Sequence, residues 1–284
     1  MFVGLLYCLY GVVGATLLGG LWRLNLMIKR FSANDLPELK PLTNQDEMAS
    51  VSVCIPARNE SHAMTECLQS VLLSKYPKLE ILVLDDQSAD KTPSLIKAFA
   101  HDGVRFIEGT PSPAGWLGKN HALNQLLGEA SGRLVLFMDV DTRIKPDTIG
   151  RLVSYMNARQ ANMISVIPRR DDGPRASVVF APLRYLWEIL FDRHQAPAVS
   201  SAVWMLDRHQ FEQDFADFSK LRHVIQPEAH IAATYRDDHT YRLLMSSEKL
   251  GVSQQKKWRS QIDTSIRLLY PLIGSRLNRS LVVV

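Results

Sequence analysis

Apolar and polar positions alternate along the chain in blocks that predict strands and helices in turn. Short apolar runs rich in valine, isoleucine and leucine predict buried strands at 51–56, 79–86, 104–108 and 133–138. A segment with apolar residues at helical spacing follows each of the first three. Strands and helices that alternate at these lengths form βαβ units, so the pattern predicts an α/β fold with a mainly parallel central sheet.

The N-terminal stretch is apolar and carries no charge before Arg23. It is long enough to cross a bilayer as a helix, and its positive charges follow it instead of preceding it as in a secretory signal. The positive-inside rule then places the following chain in the cytoplasm. We therefore expect residues 1–30 to be a transmembrane anchor in the cytoplasmic membrane, with a buried core helix as the alternative. Residues 31–50 are polar, contain two prolines and are predicted to be a linker.

The C-terminal residues 259–284 place apolar side chains at helical spacing with arginines among them. This pattern predicts an amphipathic segment at a membrane interface, and a helix packed on the domain is the alternative. The net charge of +4 comes without a basic tract interleaved with aromatic residues, so no nucleic-acid partner is predicted. The three cysteines show no paired spacing, which suits a reducing compartment.

Polar clusters follow the predicted strands at their carboxyl ends, where open parallel sheets bind ligands. Asp139 and Asp141 follow the strand at 133–138, and carboxylate oxygens suit Mg²⁺ or Mn²⁺. The alternative for this pair is a solvated strand end. Asp85 and Asp86 end another strand and could accept hydrogen bonds from a nucleobase or a ribose.

Several loops are also predicted to lie at a helix start, and one further segment is polar and basic. Asp90 is predicted to cap the helix that follows it, and Asp147 to cap the helical pattern PDTIGRLVSYMNA. Lys119 lies in a glycine-containing loop that enters a helix, where backbone N–H groups and the helix dipole favour an anion. Asp237 and Asp238 precede a helical pattern and are either a helix cap or a general base. The segment 254–258, QQKKW, could hold a sugar or a diphosphate, or form a basic loop with a tryptophan anchor.

In this order, the segments IPARNE, LDDQSADKT, GWLGKNHALN, MDVD, RDD and QQKKW resemble the family 2 glycosyltransferases over about residues 51–258. The resemblance implies an inverting enzyme of GT-A fold with a Rossmann-like domain that uses a nucleotide-sugar donor. The GWLGK element and the apolar N-terminus resemble the membrane-bound branch that glycosylates lipids such as hopanoids or carotenoid acids. Residues 51–258 are accordingly expected to form the catalytic domain.

The resemblance also implies a role for each matching residue. Asp141, with Asp139, would bind Mg²⁺ or Mn²⁺, and Asp238 would be the catalytic base. Contacts to the acceptor and the diphosphate would come from Gln254, Lys257 and Trp258. The nucleotide-sugar pocket would be lined by Pro56, Ala57, Arg58, Asn59, Glu60, Asp85, Asp86, Lys119 and Asp139.

Two positions depart from the family pattern. Asp237 stands where the family has a glutamate before the base, and Lys257 stands where it has an arginine. Lysine cannot form the bidentate hydrogen bonds that arginine forms with a phosphate.

The predicted function is transfer of a sugar, from a UDP-sugar, to a hydroxyl or carboxyl of a lipid-type acceptor at the membrane. A glycan is the other acceptor class. One alternative is a processive polysaccharide synthase of the same family, which the QQKKW segment favours. Another is a catalytically inactive, nucleotide-binding membrane module. A sugar nucleotidyltransferase would show a glycine-rich signature near the first strand, where this chain has PARNE.

Overall fold

A computed structural model of the protein describes residues 2–31, 48–170 and 197–255. Its helices are α1 (Phe2–Phe31), α2 (Met64–Leu72), α3 (Thr92–Ala98), α4 (Gly118–Glu129), α5 (Thr148–Arg159), α6 (Arg208–Phe215) and α7 (Pro227–Asp237), with 3₁₀ turns at Ala100–Asp102 and Phe218–Leu221. Its strands are β1 (Val51–Ala57), β2 (Leu79–Asp85), β3 (Val104–Glu108), β4 (Leu134–Met138), β5 (Thr142–Ile144), β6 (Met163–Ile167), β7 (Arg169–Arg170), β8 (Val203–Asp207), β9 (Tyr241–Met245) and β10 (Val252–Gln254).

Seven of these strands form one sheet in the order β3-β2-β1-β4-β8-β6-β9. All of its neighbouring strands pair in parallel except β8, which is antiparallel to both β4 and β6. The predicted α/β class with a mainly parallel central sheet is confirmed. The direction of β8 has no signature in its own residues, because it depends on which strands β8 lies between.

A second, three-stranded sheet has the order β5-β10-β7. Strand β10 runs antiparallel to β5 and parallel to β7. Because β5 begins one residue after Asp141, this small sheet lies beside the carboxyl end of β4. It therefore brings residues near 253 next to the acidic pair that follows β4.

The core lies on both faces of the large sheet, and β4 shows why. Its residues Leu134, Leu136 and Met138 belong to a buried cluster with α2 and α5, while Val135 and Phe137 belong to a second cluster with α4 and α6. Alternate residues of a strand point to opposite faces, so a strand covered on both faces is a continuous apolar run. Fully burying each such side chain contributes about 1.5–3 kcal/mol.

Helix α1 contacts β9 at one edge of the sheet. Several of its large apolar side chains are exposed, among them Tyr10, Leu17, Leu18, Leu21 and Trp22. Among the helices in the described residues, none combines the length and the apolar character needed to cross a bilayer. The transmembrane part of the expected architecture stays a prediction, as do the domain boundaries.

Two predicted helix starts can be compared with the structure. Lys91 occupies the N-cap position of α3, and Asp90 precedes it, with its Oδ1 accepting from the N–H of Thr92, the first residue of α3, at 3.0 Å. Asp147 occupies the N-cap position of α5, but its side chain makes no capping hydrogen bond. It lies 3.3 Å from the ammonium of Lys75 instead.

The expectation that Asp237 and Asp238 precede a helix is wrong. They follow α7, and the segment after them is β9, whose residues pair with β6. A five-residue apolar run such as YRLLM cannot be assigned to helix or strand from periodicity alone. The predicted residues Lys257 and Trp258, the segment 259–284 and most of the linker lie outside the described residues.

Candidate active site

The loops after β1 and β2 meet at the carboxyl edge of the large sheet. The guanidinium of Arg58 lies 3.4 Å from the carboxylate of Asp86. The carbonyl of Ala57 accepts from the N–H of Asp86 at 2.8 Å. Asn59 has a positive φ of 55°, and its side chain accepts from the N–H of Ala89 at 2.8 Å. The structure thus joins the PARNE and LDDQSADKT segments into one surface.

Pro56 lies within β1, and Glu60 is anchored by its backbone, because its N–H donates to Oγ1 of Thr92 at 2.9 Å. Each predicted residue from 56 to 60 therefore lies at this edge.

Asp85 is the most deeply buried acid of this surface, with 6% of its area exposed. Its Oδ2 accepts from the N–H of Ser88 at 3.2 Å, while its Oδ1 is buried with no hydrogen-bond partner in the described part of the chain. Leaving a buried acceptor unpaired costs about 1–3 kcal/mol. A donor group from a ligand, such as a base imide or a ribose hydroxyl, would satisfy it.

Gly109, which the sequence did not single out, allows the end of β3 to lie against this acid. A Cβ added to Gly109 would come within 2.7 Å of the carbonyl oxygen of Asp85. Its own N–H donates to that oxygen at 2.9 Å. Any side chain at this position would push β3 away from the pocket.

Lys119, in the first turn of α4, contacts the acidic pair that follows β4. Its Nζ lies 3.1 Å from Oδ1 of Asp139, and the backbone N–H of Asp139 is fixed by the carbonyl of Ala202 at 2.9 Å. Partial burial lowers the pKa of Lys119, but the negative charges of Asp139 and Glu228 outweigh this, and the pKa is raised. Lys119 is therefore a permanent cation at neutral pH.

Asp141 is tied to the small sheet by Gln254. The Nε2 of Gln254 donates to Oδ1 of Asp141 at 2.9 Å, and the N–H of Gln255 donates to the Asp141 carbonyl at 2.9 Å. The Gln254 side chain is buried. It was expected to contact the acceptor or the diphosphate; in the structure it orients an acidic residue of the same site.

The sequence reasoning missed Glu228, which is buried at 2% exposure in the first turn of α7. Asn120, next to Lys119 on α4, binds the loop before α7, so Glu228 lies near Lys119, and its negative charge contributes to the raised pKa of that lysine. The signal that could have located it is Pro227 followed by an acid, a pattern typical of a helix N-terminus.

Asp238 lies at the other end of α7 and is exposed. It comes ten positions after Glu228, which is about 15 Å along the helix axis. Strand β9 starts just after it, and Tyr241 pairs with Met163 at the start of β6. Asp238 therefore lies at the amino edge of the sheet, and the structure does not bring it to Asp139.

Asn120 holds the loop that leads into α7. Its side-chain Nδ2 donates to the carbonyls of Leu221 at 2.7 Å, Arg222 at 3.3 Å and Val224 at 2.8 Å. The residue is 1% exposed. Asn120 follows Lys119 on α4, so it fixes the start of α7, and with it Glu228, relative to that lysine.

The acidic pair suits a divalent cation that shares its ligands with a substrate. Asp139 and Asp141 supply hard oxygen donors, which Mg²⁺ and Mn²⁺ prefer. Within the described ranges, no three His, Cys, Asp or Glu side chains form a group that could hold a metal by themselves. Mg²⁺ commonly completes its coordination with waters and substrate phosphates, so two carboxylates fit that use.

The family model for "Glycosyl transferase family 2" matches residues 52–227, more than half of the chain. The chain belongs to glycosyl transferase family 2. This confirms the predicted family and enzyme class. The match ends one residue before Glu228 and includes every predicted nucleotide-sugar residue from Pro56 to Asp139.

Curated proteins match the family 2 region over part of their length. The chain is 32% identical over 126 residues to "Probable glycosyltransferase YdaM" of Bacillus subtilis, covering 43% of this chain and 30% of the relative. It is 33% identical over 119 residues to "Poly-beta-1,6-N-acetyl-D-glucosamine synthase" of Staphylococcus aureus, covering 42% and 27%. The chain thus matches about a third of the length of these relatives or less.

Solved structures share the fold of this family 2 chain. A mannosyltransferase from Pyrobaculum calidifontis, in complex with GDP-Man and Mn²⁺, aligns with a TM-score of 0.62 at 21% identity, covering 92% of this chain and 70% of its own. TarS of S. aureus in complex with UDP aligns with a TM-score of 0.52 at 18% identity, covering 79% and 65%. These similarities confirm the predicted GT-A-like α/β fold.

Proposed function

We propose that this family 2 glycosyltransferase transfers a sugar from a nucleoside diphosphate sugar, a UDP-sugar, to an acceptor at the carboxyl edge of its large sheet. The observation that carries the proposal is the contact between Lys119 and Asp139. The start of α4 also lies beside Asp86, because a Cβ added to Gly118 would be 3.5 Å from the Oδ2 of that acid, so α4 connects the surface around Asp86 to the acids after β4. The solved structures of similar fold that hold GDP-Man, UDP or UDP-GlcNAc support this class of donor.

The donor would lie along this edge with its nucleoside over β1 and β2. The unpaired Oδ1 of Asp85 accepts from the base or the ribose, with Asp86 and Arg58 beside it. Lys119 offers its charge to the diphosphate. Residues 56–60 line the nucleoside side of the pocket.

Asp139 and Asp141 would hold the divalent cation, with Gln254 orienting Asp141. A bound Mg²⁺ or Mn²⁺ would neutralise negative charge on the leaving diphosphate. The mannosyltransferase of similar fold holds Mn²⁺ together with its donor, which supports a metal here.

We assign the general base to Glu228 in place of Asp238. A base must reach the proton that it removes, and Glu228 lies in the first turn of α7, whose preceding loop is held beside Lys119 by Asn120. The acceptor O–H gives its proton to Glu228, its oxygen bonds to the anomeric carbon, and the bond from that carbon to the diphosphate breaks. Displacement from the opposite face inverts the anomeric centre.

For the acceptor and the location we propose a lipid at the cytoplasmic membrane, with the catalytic sheet on the cytoplasmic side. The support is the exposed apolar surface of α1, including Leu17 and Leu21, which is followed by Arg23 and Lys29. Exposed apolar surface of this extent is typical of protein or membrane contacts.

A polysaccharide synthase is the second candidate. The similarity to the poly-β-1,6-N-acetyl-D-glucosamine synthase of S. aureus supports it. Product length separates the two functions: a single transferred sugar supports lipid glycosylation, and a polymer supports the synthase.

The test is sugar transfer by Glu228→Gln and Asp238→Asn variants, after a thermal-shift panel of nucleoside diphosphate sugars with Mn²⁺ or Mg²⁺ has identified the donor. We expect Glu228→Gln to lose about 10²–10⁴-fold in turnover while it still binds the donor. Asp238→Asn removes the same charge at the other end of α7 and should keep wild-type turnover.

If Asp238→Asn loses turnover and Glu228→Gln does not, Asp238 is the general base. Donor binding without turnover in the wild type, with lipid and glycan acceptors alike, would support the inactive binding module.

A further inference from the structure

The small sheet forms a pocket of about 160 Å³ that the donor site does not use. Strands β5, β7 and β10 and the turn before β10 line it. Four cations contribute to its wall, and Glu248 is the acid among the residues that line it. The cationic residues are Arg143, Lys145, Arg169 and Arg170. A pocket with this charge balance suits an anion.

Arg143 is held in a fixed orientation at the base of this wall. Its two Nη atoms donate to the carbonyls of Val140 and Thr142 at 2.8 Å, to the carbonyl of Ala63 at 3.1 Å and to Glu66 at 3.0 Å. Its Nε is buried with no hydrogen-bond partner in the described part of the protein. A rigid guanidinium with an unused donor loses little entropy when it binds an anion.

Lys145 is placed in the pocket by a close approach of the backbone. Gly251 has a positive φ of 74°, and a Cβ added to it would lie 2.7 Å from the Lys145 side chain. The N–H of Lys145 donates to the Gly251 carbonyl at 3.0 Å. Any other residue at 251 would displace the lysine.

In this structure the carboxylate of Glu248 pairs with the cations that an anionic ligand would contact. Its carboxylate contacts the ammonium of Lys145 at 3.0 Å and also pairs with Arg169. The Glu248 side chain is 71% exposed, and ion pairs at this exposure contribute only about 0–1 kcal/mol. An anion with more acceptor oxygens, such as a phosphate, can therefore replace it.

We infer that this pocket binds a phosphate group, and that in the reaction the phosphate belongs to the acceptor. The second part rests on the proposed function. Arg143 lies two residues after Asp141, about 7 Å along an extended chain, and Ser253 of the pocket wall precedes Gln254. A phosphate held here keeps the rest of the acceptor within reach of the donor site.

The test uses the full chain in EDTA without any donor, and measures the Kd of inorganic phosphate by calorimetry. Arg169→Ala should weaken binding about tenfold. Glu248→Gln should tighten it about threefold, because it removes the competing carboxylate. Lys97→Ala, which removes one exposed charge from α3, should leave the Kd unchanged.

A second measurement compares vesicles of phosphatidylcholine with and without phosphatidic acid, whose headgroup is a phosphate monoester. If Arg169→Ala loses the preference for phosphatidic acid vesicles but keeps the wild-type Kd for inorganic phosphate, the phosphate belongs to a lipid headgroup. A weaker Kd for inorganic phosphate as well shows that free phosphate suffices.

The inference is wrong if Arg169→Ala changes neither measurement, or if Lys119→Met abolishes phosphate binding while Arg169→Ala does not. The second outcome would place the anion at the donor site. Neither measurement involves nucleotide or turnover, so a failure of the proposed function would be seen separately, as absence of donor binding or of sugar transfer.

Discussion

At the scale of single residues, the side-chain amides of two asparagines of α4 bind the backbone of the segment before α7. Asn120 uses its amide N–H₂ as a donor to three backbone carbonyls before α7. Asn124 uses its oxygen as an acceptor for the N–H of Phe218 at 3.0 Å. The same residue type therefore plays opposite hydrogen-bonding roles one turn apart on one helix. Only Asn120 needs its nitrogen.

Asn120→Asp should destabilise the protein by about 1–3 kcal/mol, because it replaces a buried donor with an acceptor that faces three carbonyl oxygens. Asn124→Asp retains the oxygen acceptor and should stay within about 0.5 kcal/mol of wild type. Urea unfolding of both variants measures the difference. Equal stability of the two would show that Asn120 does not hold the loop.

At the scale of elements, the turn between α4 and β4 is held against β1 and β2 by one carboxylate. Oε1 of Glu80 accepts from the N–H and hydroxyl of Ser131 at 2.6 and 2.9 Å, from the N–H of Gly132 at 3.2 Å, and from the hydroxyl of Ser52. Burial raises the pKa of Glu80, but the hydrogen bonds from Ser52, Ser131 and Gly132 outweigh this and the pKa is lowered. An ionised Glu80 therefore holds the turn that precedes β4.

Glu80→Ala should lower the free energy of unfolding at pH 7 by about 1–3 kcal/mol, because several donors lose their acceptor. A lowered folded-state pKa gives stability that is present above the unfolded value, about 4.3, and is lost as the pH falls through the folded value. The difference in the free energy of unfolding between wild type and variant should therefore become smaller below about pH 4. Urea unfolding at several pH values measures this difference. A difference that stays constant from pH 7 to pH 3 would show that it does not come from the ionised carboxylate of Glu80.

At the scale of the whole molecule, apolar surface is distributed unevenly. The large sheet is covered on both faces, whereas α1 exposes 64% of Leu17 and 62% of Leu21. These two leucines are four residues apart and share a helix face. On the catalytic part, Leu73 after α2 is also exposed, at 66%.

The double variant Leu17→Glu, Leu21→Glu should weaken binding to lipid vesicles by at least about tenfold, because each leucine loses about 1.5–3 kcal/mol of apolar burial in the membrane. Leu73→Glu makes the same change on the catalytic part and should leave vesicle binding intact. Vesicle flotation measures both. Unchanged flotation of the double variant would remove α1 from membrane contact.

Most local features of this protein follow from the chemistry of short segments. Runs such as LEILVLDD predicted β2, and β1, β3 and β4 were predicted in the same way. The acids at the strand ends lie at one sheet edge because parallel strands end together. Asp90 could be predicted as a capping residue because hydrogen bonds to a helix start involve neighbours in sequence.

Contacts between distant segments depend on how the elements pack against one another. Gln254 reaches Asp141 across 113 positions because β10 pairs with β5, and no local periodicity encodes that pairing. The same holds for the antiparallel β8 and for Glu228, which lies near Lys119 because Asn120 ties α4 to the loop before α7. Local patterns reflect the period of one element, whereas a site is made where the packing of several elements brings their ends together.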